Sequence, residues 1–178
     1  MDNDILDKTI VYINSSNCLF KNGTNFDITF DLQEPIRNAL YITIIKTDII
    51  LNPSQSINNL AIEDGDPIYI NVKNYSRIRT NVDGINVKCF DQITIDLSDK
   101  FGIDPPPNAN ILFRSEYAST VGEINDINTH VLNPMEPNLK RFDIQLYDKK
   151  YQPIQKNNIK RFATTLCIYH SRKKITQF

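Results

Sequence analysis

Residues 139–154 have the sequence Leu-Lys-Arg-Phe-Asp-Ile-Gln-Leu-Tyr-Asp-Lys-Lys-Tyr-Gln-Pro-Ile. Phe142, Ile144 and Leu146 alternate with more polar residues, and a period of two is typical of a strand with one buried face. The polar residues 148–150 then predict a turn. We interpret the stretch as the penultimate strand of an all-β domain, followed by the turn towards the last strand.

The same alternation recurs along most of the chain, and no long window has the spacing of an amphipathic helix. Further strands are predicted at 10–13, 24–32, 40–51, 68–72, 75–80, 87–97, 110–115 and 162–169. Pro35 is expected to end the second of these, because proline cannot donate to a strand ladder. A bulge or bend is expected at 46–48, and Asp83-Gly84 predicts a hairpin turn. Residues 116–137 are expected to be the least regular part.

The length of 178 residues fits one domain spanning residues 1–178. Residues 1–7 are expected to form a flexible leader, and residues 170–178 a basic tail. The leader lacks the order of a signal peptide, and no run approaches the roughly 18 apolar residues that span a bilayer. The chain is therefore expected to be made and kept in the cytosol.

About eight strands of this length predict an antiparallel two-sheet sandwich, either a jelly roll or an immunoglobulin-like fold. The long, uneven connections at 51–66 and 116–138 favour the crossovers of a single jelly roll. The Cys-Trp-Cys spacing of true immunoglobulin domains is missing, since the chain has no Trp.

The sequence offers little catalytic chemistry. His130 and His170 are its only histidines, and two isolated histidines do not make a metal site. No phosphate-binding, metalloprotease or nucleophile-elbow motif is present. Glu63-Asp-Gly-Asp66 lacks the spacing of a calcium loop and is interpreted as an ordinary acidic turn. Cys18, Cys89 and Cys167 are expected to be buried or half-buried thiols. We therefore expect that the protein is not an enzyme and that it binds no cofactor and no metal.

The near-neutral net charge of −1 conceals a strong asymmetry. Residues 1–138 contain 10 Lys and Arg against 19 Asp and Glu, whereas residues 139–178 contain 10 against 2. The candidate partner-binding residues in the basic part are Lys160, Arg161, Arg172, Lys173 and Lys174. Such a region can bind an acidic protein surface, nucleic acid or an anionic membrane face. An acidic protein neighbour is preferred, and a merely solvated face remains an alternative.

Several features in order carry a resemblance to a known family. They are Asn14-Ser-Ser-Asn17, Phe26-Asp-Ile-Thr-Phe30, Glu34-Pro35-Ile36, the long Ile-rich stretch at 40–51 and the hairpin at 142–153. The chain resembles the small single-jelly-roll minor capsid and penton proteins of nucleocytoplasmic large DNA viruses (giant viruses) and their virophage relatives. It departs from them at Tyr151 and Gln152, where a Gly is expected before Pro153, and in lacking an Asp-Arg pair in the early turn.

The resemblance implies a structural component of a virion that is synthesised in the host cytoplasm and performs no catalysis. Its partners would be other capsid proteins or further copies of itself, as in a pentamer. The basic C-terminal region would contact protein, nucleic acid or an internal membrane, and no small-molecule substrate is expected. The main alternative is a carbohydrate-binding, lectin-like module that exposes tyrosines such as Tyr41, Tyr69, Tyr75 and Tyr117. An enzyme on a jelly-roll scaffold is a third alternative.

Overall fold

The computed structural model describes residues 6–21, 23–52, 63, 65–95, 111–117 and 127–172. The ten strands are β1 Leu6–Asn14, β2 Leu19–Phe20, β3 Asp27–Leu51, β4 Pro67–Val72, β5 Ile78–Val82, β6 Ile85–Cys89, β7 Asp91–Thr94, β8 Ile111–Glu116, β9 Thr129–Tyr147 and β10 Ile159–Ser171. Two short 3₁₀ helices cover Ser15–Asn17 and Lys156–Asn158. Within the described residues there is no α-helix, which confirms the all-β prediction.

The strands pair antiparallel in a nested order. The first strand, β1, pairs with the last, β10. Residues 27–43 of β3 pair with β9, residues 46–51 of β3 pair with β8, and β4 pairs with β7. In addition, β10 pairs with β3, and β9 pairs with β4. These two ladders join the strand pairs into one curled, eight-stranded sheet. A second, two-stranded sheet consists of β5 and β6.

The expectation that Pro35 ends a strand is wrong. β3 runs through this proline for 25 residues, from Asp27 to Leu51. Asp31 and Ile36 of β3 pair with Arg141 and Leu139 of β9, so residues 32–35 form an irregular step without ladder partners. No residue of this step donates to the ladder. A proline, which has no N–H, can therefore stand here without the loss of a ladder hydrogen bond.

Residues 116–137 were expected to be the least regular part of the chain, but their last nine residues form a strand with a similar step. Residues 129–137 belong to β9, which was expected to begin only near residue 139. Tyr41 and Ala39 of β3 pair with Val131 and Glu136 of β9, so residues 132–135, including a proline, form the step. Both steps lie where the β3–β9 ladder changes register, and they let the two long strands bend together.

Other boundaries also differ from the predictions. β1 begins at Leu6 and β10 ends at Ser171, so residues 6–7 and 170–171, expected in the leader and the tail, belong to strands. Residues 1–5 and 173–178 lie outside the described residues. The predicted strand at 87–97 is divided at Phe90 into β6 and β7. A bulge was expected at 46–48, and the structure has it one residue earlier. The register between β10 and β3 shifts at Ile45. Predictions for 53–62 and 96–110 lie outside the described residues.

One large core holds the sheet together. It contains Val11 from β1, Ile42 from β3, Ile70 from β4, Phe142 from β9 and Ile168 from β10, all at most 6% exposed. Because strands from both ends of the sheet order bury side chains in this one cluster, the curled sheet closes on itself in a sandwich-like arrangement. A smaller cluster of Tyr69, Val82, Val87 and Cys89 packs the β5–β6 hairpin against the outside.

Candidate functional site

The structure separates the basic residues that were predicted to form one surface. Lys160 and Arg161 are exposed at the start of β10, while Arg172 follows its end. At about 3.3 Å per residue, the two groups lie roughly 35 Å apart along the strand. Lys173 and Lys174 lie outside the described residues. Partner binding through these five residues therefore stays a prediction.

Part of the charge asymmetry is neutralised inside the molecule. Arg141 pairs with Asp31 at 2.7 Å, Lys149 with Asp66 at 3.1 Å, and Arg172 with Asp7 at 2.5 Å. Each pair joins a cation of the basic C-terminal part to a carboxylate of the acidic part. The pairs form because the chain ends fold together, with β10 between β1 and β3 and β9 between β3 and β4.

A candidate contact surface lies at strand β1. Its one side pairs with β10, and its other side pairs with no other described strand. Ile10 and Tyr12 on the outer face are 45% and 73% exposed. Tyr169 and Tyr41 lie on the same side of the sheet in β10 and β3 with rings 6.4 Å apart, but Tyr169 is buried and Tyr41 half-buried. Edge strands with exposed apolar side chains are templates for pairing with another chain.

A second candidate site is a polar cleft on the outer face of β3, β9 and β4. Its volume is about 620 Å³. Asp27, Gln145 and Asn71 are direct cross-strand neighbours, so their side chains share this face and form one row of the floor. Asp143 and Lys73 lie in the next row, where the Lys73 N–H donates to the Asp143 carbonyl oxygen at 2.9 Å.

Hydrogen bonds hold the first row in place. The Gln145 amide donates to Asp27 Oδ2 at 3.2 Å, and the Tyr147 hydroxyl donates to Gln145 Oε1 at 2.8 Å. Asn71 donates through Nδ2 to the Tyr151 hydroxyl, which in turn donates to the Lys88 carbonyl oxygen at 3.0 Å. These bonds hold the Gln145 amide, the Asn71 Nδ2 and the Asp27 Oδ2 in place without a ligand.

Tyr151 explains the missing glycine in the β9–β10 connection. It has a φ of +59°, in the left-handed region that glycine usually occupies. Its ring stacks on Tyr147 at 4.5 Å and meets Tyr69 edge-on at 5.6 Å. Tyr151 therefore has a strained backbone conformation, and its ring packs against the cluster beneath the β5–β6 hairpin.

The charges of the cleft are only partly compensated. Burial favours a raised pKa for Asp143, but hydrogen bonds from Lys21 and Thr29 and the charge of Lys21 outweigh it and lower the pKa. Lys21 contacts Asp143 at 2.5 Å. Lys73 and Lys88, which also line the cleft, have no carboxylate within 4 Å among the described residues. Two ammonium groups therefore remain for an external anion.

A buried ionic network was missed at the sequence level. Arg77 was expected on an exposed strand, but its side chain is only 10% exposed and contacts the fully buried Asp91 at 2.8 Å. The Tyr117 hydroxyl donates to the same Asp91 oxygen at 2.7 Å, and Arg77 also donates to the Ile127 carbonyl. The network ties β7, the end of β8 and the start of the β5 hairpin together, so its role is structural.

The cysteines and His130 are buried or half-buried in the structure. Cys89 and Cys167 are buried and Cys18 is half-buried, as expected, and burial raises the pKa of the Cys89 thiol to about 11. His130 packs between Tyr75 and Phe90, and burial lowers its pKa. In the described segments, no three His, Cys, Asp or Glu residues come together in a group that could hold a metal ion.

The tyrosines named for carbohydrate binding do not share one surface. Tyr75 lines the cleft, whereas Tyr69 is buried beneath the β5–β6 hairpin and Tyr117 contributes to the Asp91 network. Tyr41 lies on the outer face near β1. Of these four tyrosines, Tyr75 is the one placed to contact a ligand in the cleft.

Comparison with protein-family models and with curated proteins gave no match. Among the described residues, no helix has the length and apolar character needed to cross a membrane.

Proposed function

We propose that the protein is a structural subunit of a larger protein shell, a minor capsid or penton component, and that its fold is a single jelly roll. The observation that carries the proposal is the edge of β1, which pairs on one side with no other described strand and exposes Ile10 and Tyr12 on its outer face. Such an edge favours addition of a strand, or packing of side chains, from a neighbouring subunit.

The nested strand order supports the jelly-roll part of the proposal. A jelly roll arises when one long antiparallel hairpin rolls up, so that strands pair outermost with outermost and innermost with innermost. Here the pairs are β1 with β10, β3 with β9, β3 with β8, and β4 with β7. The two resulting groups of neighbours are β1–β10–β3–β8 and β3–β9–β4–β7.

The partner at β1 would be another copy of the chain or another capsid protein. The ion pair of Arg172 with Asp7 holds Arg172 beside this edge. An acidic neighbour could therefore use both features together, with nucleic acid and an internal membrane face as the other partners of the tail. The location that follows from this role is the virion, after synthesis in the host cytoplasm.

Replacing Ile10 with lysine tests the role of the edge. We expect the wild-type chain to form oligomers as its concentration rises, and Ile10→Lys to weaken association by about tenfold or more, because a desolvated charge opposes strand pairing. Sedimentation velocity over a range of concentrations measures this.

The matched control is Ile85→Lys, which makes the same substitution at a 67% exposed position of the β5–β6 hairpin. It should leave both assembly and thermal stability unchanged. Equal weakening by both variants, or a wild-type chain that stays monomeric at high concentration, would contradict the role assigned to β1.

A further inference from the structure

We propose that the polar cleft on β3, β9 and β4 binds an acidic sugar, a ligand with several hydroxyl groups and one negative charge. The proposal does not depend on assembly, because the cleft is built by strands other than β1. A volume of about 620 Å³ lies within the range of small-molecule sites.

The floor of the cleft supplies acceptors for ligand hydroxyls. Asp27 Oδ1 and Asn71 Oδ1 are buried and have no hydrogen-bond partner among the described residues. Both oxygens belong to the row that Gln145 and the tyrosine hydroxyls hold in place. Each of these oxygens can only accept, so each lacks a donor, and a sugar presents several O–H donors in a small volume. A hydroxyl that reaches either oxygen has to displace the atoms that now cover it.

The rim supplies a positive charge. Lys73 and Lys88 lie on two sides of the cleft, the first just after β4 and the second in β6. Lys21 already pairs with Asp143, so the two other ammonium groups oppose the single carboxylate of Asp27. The balance is one positive charge, which favours a ligand with one carboxylate over a neutral sugar.

The same arrangement disfavours other anions. Inorganic phosphate has mostly acceptor oxygens, which the Asp27 carboxylate repels and which cannot pair with the acceptors of the floor. Tyr75 adds a half-buried aromatic side to the cleft, and a sugar ring can pack its C–H face against it. Charge, acceptors and aromatic surface together select an acidic sugar.

Titration of the full ¹⁵N-labelled chain, followed by NMR, tests the proposal. The probes are N-acetylneuraminic acid, glucuronic acid, neutral glucose and inorganic phosphate. At least one acidic sugar should shift the amide signals of Asn71, Lys73 and Gln145 with millimolar affinity, about tenfold more tightly than glucose or phosphate. No shift with either acidic sugar up to about 50 mM, or equal binding of glucose or phosphate, overturns the proposal.

Charge variants separate the site from general electrostatics. Lys73→Gln/Lys88→Gln should lower the affinity for the acidic sugar about tenfold or more without changing the thermal midpoint. The control Arg37→Gln/Lys140→Gln removes the same net charge at exposed positions outside the cleft and should leave the affinity unchanged. Equal losses in the two variants would overturn the site.

Discussion

Replacing Phe142 with alanine is expected to lower the free energy of unfolding by about 3–5 kcal/mol. Phe142 is 1% exposed, lies in β9 and is one of the largest fully buried side chains. Its neighbours include Ile70, Phe90 and Phe162. These side chains come from several strands of a closed sheet and can collapse only partly into the space left by the ring, so both transfer and cavity costs apply.

Thermal or denaturant unfolding of the purified chain measures this loss. For a chain of this size it corresponds to a fall in Tm of roughly 6–20 °C. Tyr12→Ala is the control, since it removes an aromatic ring that is 73% exposed, and it should change stability by at most about 0.5 kcal/mol. Equal stability of the two variants would show that Phe142 does not face the core.

Arg77→Met is expected to destabilise the chain by about 3–5 kcal/mol at pH 8, because it leaves Asp91 charged and buried without its cation. Asp91 is 0% exposed, and the guanidinium of Arg77 contacts it at 2.8 Å. The double variant Arg77→Met/Asp91→Asn should recover part of this loss. It leaves no buried charge, and the asparagine oxygen can still accept from the Tyr117 hydroxyl.

The loss should also depend on pH. Burial raises the pKa of the Asp91 carboxyl, although the hydrogen bond from Tyr117 and the charge of Arg77 oppose this. A folded-state pKa above the unfolded value stabilises the native state at low pH, and the stabilisation is lost as the pH rises through the folded pKa. Denaturant unfolding of Arg77→Met should therefore show a smaller loss at pH 4 than at pH 8. Equal losses at both pH values would mean that Asp91 is not the group left unpaired.

Most strands could be predicted from local alternation. The stretch 139–147 is a strand of the predicted face, with Phe142, Ile144 and Leu146 all buried, and Asp83-Gly84 forms the predicted hairpin turn with φ values of +49° and +83°. Alternation decides which face is buried because neighbouring side chains of a strand point to opposite sides. Pro35 misled the prediction, since a proline breaks a ladder only where its N–H would have been paired.

The polar cleft could not be predicted. Asp27, Asn71 and Gln145 are separated by 44 and 74 positions in the sequence, and each is an ordinary outward-facing polar residue of its own strand. Only the register of β3, β9 and β4 makes them neighbours. The ion pair of Arg77 and Asp91 could not be predicted either. Each looks like a solvated charge in the sequence, and only the packing of the strands buries the pair.

The sequence by itself determined the all-β class, most strand positions and the buried face of the strand at 139–147, because these follow from local periodicity and turn chemistry. Tertiary structure decided where the charged residues act. It pairs the chain ends through β1 and β10 and neutralises part of the basic C-terminal region with Asp7, Asp31 and Asp66. In the described part of the chain it also leaves the outer side of β1 and a polar cleft exposed. These outcomes depend on long-range register, which no local pattern encodes.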